Sequence, residues 1–173
     1  MIVVDNFVRD VFLLHELRDD SHWQHNKPYT WYDRDTDQKD IWIKLARIIW
    51  NFNSQFQNLG DYEGYELWTQ CVEHREIPWH RDKDEYHKKH TNEVITPLVG
   101  SIWYAHTEKI IGGNLQIKDE TGIQTIHPVP NRLVIFDVSN RHKVTYTNSG
   151  HRRSVMFNVW NCKPDPRNFD PAL

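Results

Sequence analysis

Apolar residues recur at helical spacing in the first third of the chain and at alternating, strand-like spacing in the rest, with the change near Gly64. Ile2 to Phe7 reads as a short strand. Asp10 can cap a helix that carries Val11, Leu14 and Leu17 on one face. After a polar stretch through Lys39, the residues Ile41, Leu45, Ile48, Ile49, Phe52, Phe56 and Leu59 mark a second helix, which Gly60 ends. Both helices read as buttresses without chemistry of their own. From Gly64 onward short β-type runs occupy 65–72, 76–80, 94–105, 114–118, 123–128, 132–137, 142–147 and 152–160. Gly112-Gly113, Thr121-Gly122, Pro128 to Pro130 and Ser149-Gly150 punctuate them as turns. About eight short strands with such turns predict a mainly β fold, a sandwich or jelly roll. A pocket between two sheets is then a natural place for a metal.

No linker-like stretch and no internal repeat interrupts the 173 residues, which sets the expectation of a single domain over 1–173 with a β core from about 64. Charge adds an exclusion: 21 basic against 24 acidic residues give a net −3, without a long run of either sign. A nucleic-acid or membrane surface is therefore not expected. There are two cysteines, no basic-then-apolar leader pattern and no apolar run long enough for a membrane span, so a reducing, cytoplasmic setting is the simplest expectation. Eight Trp, seven Tyr and seven Phe supply core volume to a chain of low mean hydropathy. With eleven histidines, no single one is informative.

Order and spacing are more telling. Trp79-His80-Arg81-Asp82 contains an H-x-D in an extended segment, where positions i and i+2 point the same way, so His80 and Asp82 can reach one ion while Arg81 points elsewhere. His142 opens a later strand. Two imidazoles and a carboxylate suit a non-haem Fe(II) centre with open coordination positions, and no neighbouring cysteine suggests a structural thiolate zinc site. Ten residues after His142 stands Arg152, followed by Arg153 and Ser154. If this strand alternates, Arg152, Ser154, Met156, Asn158 and Trp160 share one face, and Arg153, Val155, Phe157 and Val159 the other. An arginine and a hydroxyl two positions apart can together grip a carboxylate, the demand made by a 2-oxo diacid whose other end chelates a metal. Arg153 is the reserve anchor, because a bulge would exchange the two faces.

These stretches, taken together, resemble the Fe(II)- and 2-oxoglutarate-dependent dioxygenases, and the prolyl-4-hydroxylase-like branch most. Ile2 to Phe7 resembles the opening strand of that family, Ile102-Trp103-Tyr104 its aromatic strand, and Gly112-Gly113-Asn114-Leu115 its G-G-x-L turn. Pro130 to Phe136 resembles the strand leading to the second histidine, and Gly150 to Ser154 completes the order. Asn131 stands where a glycine is common and Asn114 where a glutamate often is. The resemblance implies a double-stranded β-helix, a form of jelly roll, with N-terminal helices packed on one sheet. It implies that His80, Asp82 and His142 ligate Fe(II), that Arg152 binds the distal carboxylate of 2-oxoglutarate in the R-x-S form with Ser154, and that the Tyr104 hydroxyl reaches the same carboxylate. It further implies O2 as co-substrate, ascorbate as an accessory reductant, and hydroxylation of an unactivated C–H bond with release of succinate and CO2. The substrate, a small molecule or a peptide or protein residue such as proline, and the oligomeric state stay open.

Other readings remain beside this one. A cupin-type metalloenzyme that does not use 2-oxoglutarate would share the barrel and histidines without needing Arg152 and Ser154, and a non-catalytic jelly-roll binding module would dispense with the ligands. Trp79, Trp103 and Trp160 are candidate pocket walls, with core packing the expected role of at least two. Residues 83–93, including His87 and His90 at a zinc-like spacing, read as a solvated loop that could cover the site, with Asp84 and Glu85 as alternative carboxylates. His74, His106, His127 and His151 read as ordinary surface or strand histidines.

Overall fold

The β-rich part folds into two antiparallel sheets, and the alternation of its strands decides what lies between them. The computed structural model describes residues 1–37, 39–55 and 60–165. Its strands are β1 (Ile2–Val4), β2 (Thr30–Asp33), β3 (Gly64–Val72), β4 (Ile77–His80), β5 (Val99–Gly112), β6 (Leu115–Asp119), β7 (Gly122–Ile126), β8 (Arg132–Phe136), β9 (Arg141–Val144) and β10 (Thr147–Trp160). Three helices, α1 (Val11–Arg18), α2 (Ile41–Asn53) and α3 (Glu85–Thr91), and a 3-10 turn at Asp20–Trp23 complete the described elements. The larger sheet runs β1-β8-β5-β10-β3-β2 and the smaller β4-β9-β6-β7. This is the expected jelly roll.

Each central strand of the larger sheet feeds two cores. Leu67, Trp103, Leu133, Ile135, Val155, Phe157 and Val159 face the helices and pack with Leu13, Leu17, Ile43, Leu45 and Ile49. Their strand neighbours Trp68, Ile102, Tyr104, Val134, Phe136 and Met156 face inward, against Leu115, Ile117 and Ile126 of the smaller sheet. Period-two alternation thus sorts the same strands into a helix-side layer and a sheet-to-sheet layer. The helices seal the outer face, which leaves the inner one for chemistry.

Capping follows the sequence closely. The Asp10 carboxylate accepts from the Phe12 and Leu13 amides at the start of α1, and Asp40 accepts from Ile43 N at the start of α2. Val11 nevertheless stays solvent-exposed, and Leu13 takes the buried place on α1, because the helix turns its 13/14/17 edge onto the sheet. Phe56 and Leu59, expected to extend α2, lie outside the described residues, and α2 itself ends at Asn53. Further corrections concern strands and loops. β2 and the Asp20–Trp23 turn were not expected, and β5 begins later and runs further than 94–105. Residues 85–91 form α3 rather than a loop: Asp84, itself buried, accepts from His87 N as its N-cap, while no residue of the helix is buried. Short charged helices of this kind lack the apolar stripe by which a sequence announces a helix.

Asn131 accounts for one departure from the family pattern. Its backbone has φ +61°, the left-handed conformation that favours glycine but that asparagine tolerates. Its amide then does what glycine could not, accepting from Val8 N at 2.9 Å and Trp103 Nε1 at 3.1 Å and donating to Val8 O at 3.0 Å. The chain before α1 is thereby tied to β8. Among the described residues no helix is long and apolar enough to cross a membrane.

Candidate metal centre

His80 and His142 sit opposite each other where β4 pairs with β9, so a backbone register brings together side chains 62 positions apart in sequence. Their rings approach to 4.2 Å between centroids. Asp82 lies two residues past the end of β4, with Oδ1 at 3.5 Å from His80 Nε2 and 3.4 Å from His142 Nε2. All three offer a donor atom within 4.8 Å of the others. Both rings are held from behind: His80 Nδ1 donates to Pro78 O at 2.8 Å and His142 Nδ1 to Asn140 O at 3.0 Å. A carbonyl can only accept, so Nδ1 carries the proton and the Nε2 lone pairs point at one spot. That is the arrangement by which histidine ligands are commonly oriented.

Electrostatics agrees with readiness to ligate. Burial holds the His80 imidazole below its ordinary pKa, and the neighbouring His142 pushes it the same way. Burial alone would raise the Asp82 carboxyl, but the two imidazoles beside it and the Asn158 amide that donates to it outweigh that and hold the group below the usual carboxylate range. Asp82 is thus ionised and His80 neutral near pH 7.

Asn158 was placed on the inward face by alternation, but sequence reasoning gave it no role. Its Nδ2 donates to Asp82 Oδ2 at 2.9 Å and to Glu66 Oε1 at 3.0 Å. Gly100 makes room for it, since a Cβ there would lie 2.6 Å from Asn158 Oδ1 and 2.1 Å from Val138 Cγ1. Asn158 therefore fixes the plane of the carboxylate, and Asn158→Ala is expected to weaken metal affinity by about 10–100-fold, the usual cost of losing a partner of a metal ligand, as measured by titration of metal-stripped protein. An unchanged affinity would deny Asn158 that part.

Glu66 is 5% exposed, and burial pushes its carboxyl up to about 8. A raised pKa means the folded state holds a proton that the unfolded state releases above its ordinary pKa of 4.5. This contribution to stability is complete below that ordinary value and drains away as pH rises to about 8. Glu66→Gln, which cannot ionise, should lack this loss, so that its melting temperature exceeds that of the parent by several degrees at pH 8 but not at pH 4.5. Parallel melting curves for the two proteins would remove the claim.

The three candidate ligands open onto a cavity of about 240 Å³ between the sheets, lined also by Tyr29, Trp68, Gln70, Phe136, Met156 and Arg152. Arg152 is 1% exposed. Its Nη1 donates to Tyr104 Oη at 3.4 Å, its Nε has no hydrogen-bond partner, and no carboxylate of the described residues forms an ion pair with it. A buried guanidinium without an anion is costly, and one aimed into a cavity beside three metal-type ligands fits an anionic ligand there. The choice between adjacent arginines follows from which strand carries the irregularity. Opposite Arg153 and Ser154 the register of β5 jumps from His106 to Tyr104, so the extra residue, Ala105, lies on β5, and β10 alternates without a break from Arg152 to Trp160. Arg152 enters the cavity. Arg153 points outward to Asp20 and over the Trp23 ring.

Tyr104 is fully buried beneath Arg152, and burial raises its phenol although the guanidinium opposes that. Ser154 is also fully buried, but its Oγ lies 3.5 Å from Gln70 O, and it is not among the residues that face the cavity. Of the expected tryptophan walls, Trp103 packs on the helix side and Trp79 lies under Lys143, while Trp160 is absent from the cavity itself but lines the cleft that adjoins it on the outer side. Trp68, tilted against Tyr29 with ring centroids 4.5 Å apart, and Phe136 provide the aromatic wall of the cavity. Asp84 caps α3, and Glu85 stands in the outer cleft, so neither alternative carboxylate joins the ligand cluster.

A sequence model described as the 2OG-Fe(II) oxygenase superfamily matches residues 67–160, more than half of the chain. No curated protein matches the sequence. Among solved structures, a prolyl-4-hydroxylase of Pseudomonas putida is 16% identical over 93% of this chain and 92% of that one, with a TM-score of 0.66. A prolyl hydroxylase of Trichoplax adhaerens, solved in complex with a hypoxia inducible factor oxygen degradation domain peptide fragment, is 14% identical over 92% and 83%, with a TM-score of 0.63. HygX from Streptomyces hygroscopicus, with nickel and 2-oxoglutarate bound, is 9% identical over 92% and 81%, with a TM-score of 0.64. At such identities the likeness is one of fold.

Proposed function

This chain belongs to the 2OG-Fe(II) oxygenase superfamily and is a dioxygenase that uses Fe(II), 2-oxoglutarate and O2, and we propose that it hydroxylates an unactivated C–H bond of a peptidyl residue such as proline. His80, Asp82 and His142 would hold the iron. When bound, the metal supplies the coupling of 2-oxoglutarate decarboxylation, which yields succinate and CO2, to oxidation of the substrate. The observation that carries this reading is the Arg152 guanidinium, buried without a carboxylate partner in the same cavity as the three ligands. It would take the distal carboxylate bidentately, with the Tyr104 hydroxyl behind it, and so orient the keto acid toward the metal. Ser154 would contribute from the floor by turning its hydroxyl away from Gln70 O. Asn158 keeps Asp82 in plane, and the two backbone carbonyls keep both imidazoles aimed.

The peptide reading rests on the mouth of the site. A second cleft of about 180 Å³ shares Tyr29, Trp68, His80 and Asp82 with the cavity and continues outward past Arg81, Lys83 and Glu85. An open groove with an aromatic wall at its inner end and charged side chains along its rim suits an extended chain that presents one apolar ring or side chain. The fold is also that of solved prolyl hydroxylases, one of them holding a peptide fragment. We further place the whole chain as one catalytic domain working in the reducing cytoplasm, in keeping with the unpaired Cys71 and Cys162. Succinate release in the presence of Fe(II), 2-oxoglutarate and O2 should be stimulated by proline-containing peptides, with a mass gain of one oxygen on the peptide. Stimulation by free amino acids or other small metabolites alone would overturn the peptidyl assignment.

A further inference from the structure

A second cluster of metal-type donors lies on the opposite face of the sheet from the cavity. β10 pairs with β5 so that His151 stands against Glu108 and Arg153 against His106. Because side chains alternate along each strand, His106, Glu108 and His151 share the outward face that also carries Arg153, whereas Arg152 between them points inward. Donor atoms of the three lie within 4.8 Å of one another, and the two rings are 5.8 Å apart. Glu73, just past the end of β3, adds a fourth donor. Its Oε1 is 3.6 Å from His151 Nδ1, and Glu108 Oε2 is 4.0 Å from the same atom.

We propose that His106, Glu108 and His151, completed by Glu73, form a second divalent-cation site of the zinc type, separate from the catalytic centre. Tetrahedral zinc with bonds near 2.0–2.2 Å sets its ligand atoms about 3.4 Å apart, so the observed separations close with small rotations of two exposed glutamates. His151 turns its Nδ1 toward both carboxylates but meets neither more closely than ion-pair distance, which leaves that atom free to ligate. Nearby cations do not compete for the carboxylates. Arg18 Nε donates to Ala105 O at 2.8 Å, and Arg153 pairs with Asp20. Two carboxylates balance a divalent cation in charge. The site joins the end of β3 to β5 and β10, and a metal there would staple β10, which carries Arg152, to both of its neighbours.

Metal-stripped protein titrated with Zn2+ tests this. The full chain should bind a second equivalent beyond that of the catalytic centre. Asp82→Ala should lose one equivalent and keep the other. The paired substitution His106→Ala and His151→Ala should lose the other and keep the first. Glu108→Gln, which changes only an exposed side chain, should weaken the second equivalent at least tenfold. Co2+ in the Asp82→Ala protein should give the intense visible absorption of a tetrahedral ion. A full chain that binds a single Zn2+, with none left in Asp82→Ala, would overturn the proposal, as would a second equivalent undiminished in both the paired histidine and Glu108→Gln variants.

Discussion

Arg152→Met should cost most of the affinity for 2-oxoglutarate and yet leave the metal-free protein at least as stable as its parent. The two effects share one cause. Arg152 is enclosed, its Nε is unpartnered, and its closest polar contact is a phenol at 3.4 Å. Burial holds its guanidinium below its ordinary pKa, the mark of a charge kept where solvent cannot reach. Methionine has similar length and no charge, so replacement removes a desolvation cost while filling the space. The melting temperature of the metal-free protein should stay level or rise. Affinity for the keto diacid, measured by calorimetry on metal-loaded protein without oxygen, should fall by about 10–150-fold, equivalent to the 1.5–3 kcal/mol typical of a hydrogen bond to a charged group. Arg153→Ala should leave that affinity nearly intact, because Arg153 faces Asp20 on the outside. The reverse result would make Arg153 the anchor.

Asp82→Ala should reduce succinate formation by more than about 100-fold, beyond the loss expected for its partner Asn158. His80 and His142 would still face each other, but without the carboxylate at 3.4–3.5 Å two imidazoles alone remain to hold a divalent ion. Asp82→Asn keeps the shape and removes the charge, so comparable losses in both variants would assign the effect to the carboxylate itself. Near-normal turnover in either would remove Asp82 from the centre.

The candidate site was legible because the positions of its residues follow strand periodicity. H-x-D in an extended segment and R-x-S ten residues beyond a histidine declare which atoms share a face, and His80, Asp82, His142 and Arg152 come together as that rule requires. What the sequence left open was the partner strand. The choice between Arg152 and Arg153 turned on which strand carried an extra residue, and that residue proved to be Ala105, on β5. Asn158 had the correct face but no motif, because a hydrogen bond to a carboxylate 76 positions away leaves no local signature. Trp79 misled for the same reason: adjacency to His80 in sequence puts it on the other side of β4, under Lys143. α3 went unread since a helix without a buried residue has no apolar stripe. Asn131 shows the opposite case, a departure from the family pattern whose reason, a left-handed backbone with a side chain that ties down Val8, became visible only in three dimensions.

The central claim is that one cavity holds both a metal on His80, Asp82 and His142 and a keto diacid anchored on Arg152. Visible absorption of the Fe(II)-loaded protein on anaerobic addition of 2-oxoglutarate tests it most directly. The charge-transfer band of a keto acid chelated to Fe(II) should appear, vanish in Asp82→Ala, and require far more 2-oxoglutarate in Arg152→Met. Protein that binds iron at these residues but develops no band at saturating 2-oxoglutarate, and releases no succinate when oxygen is admitted, would contradict the account and point to a cupin-type metal centre without a keto-acid co-substrate.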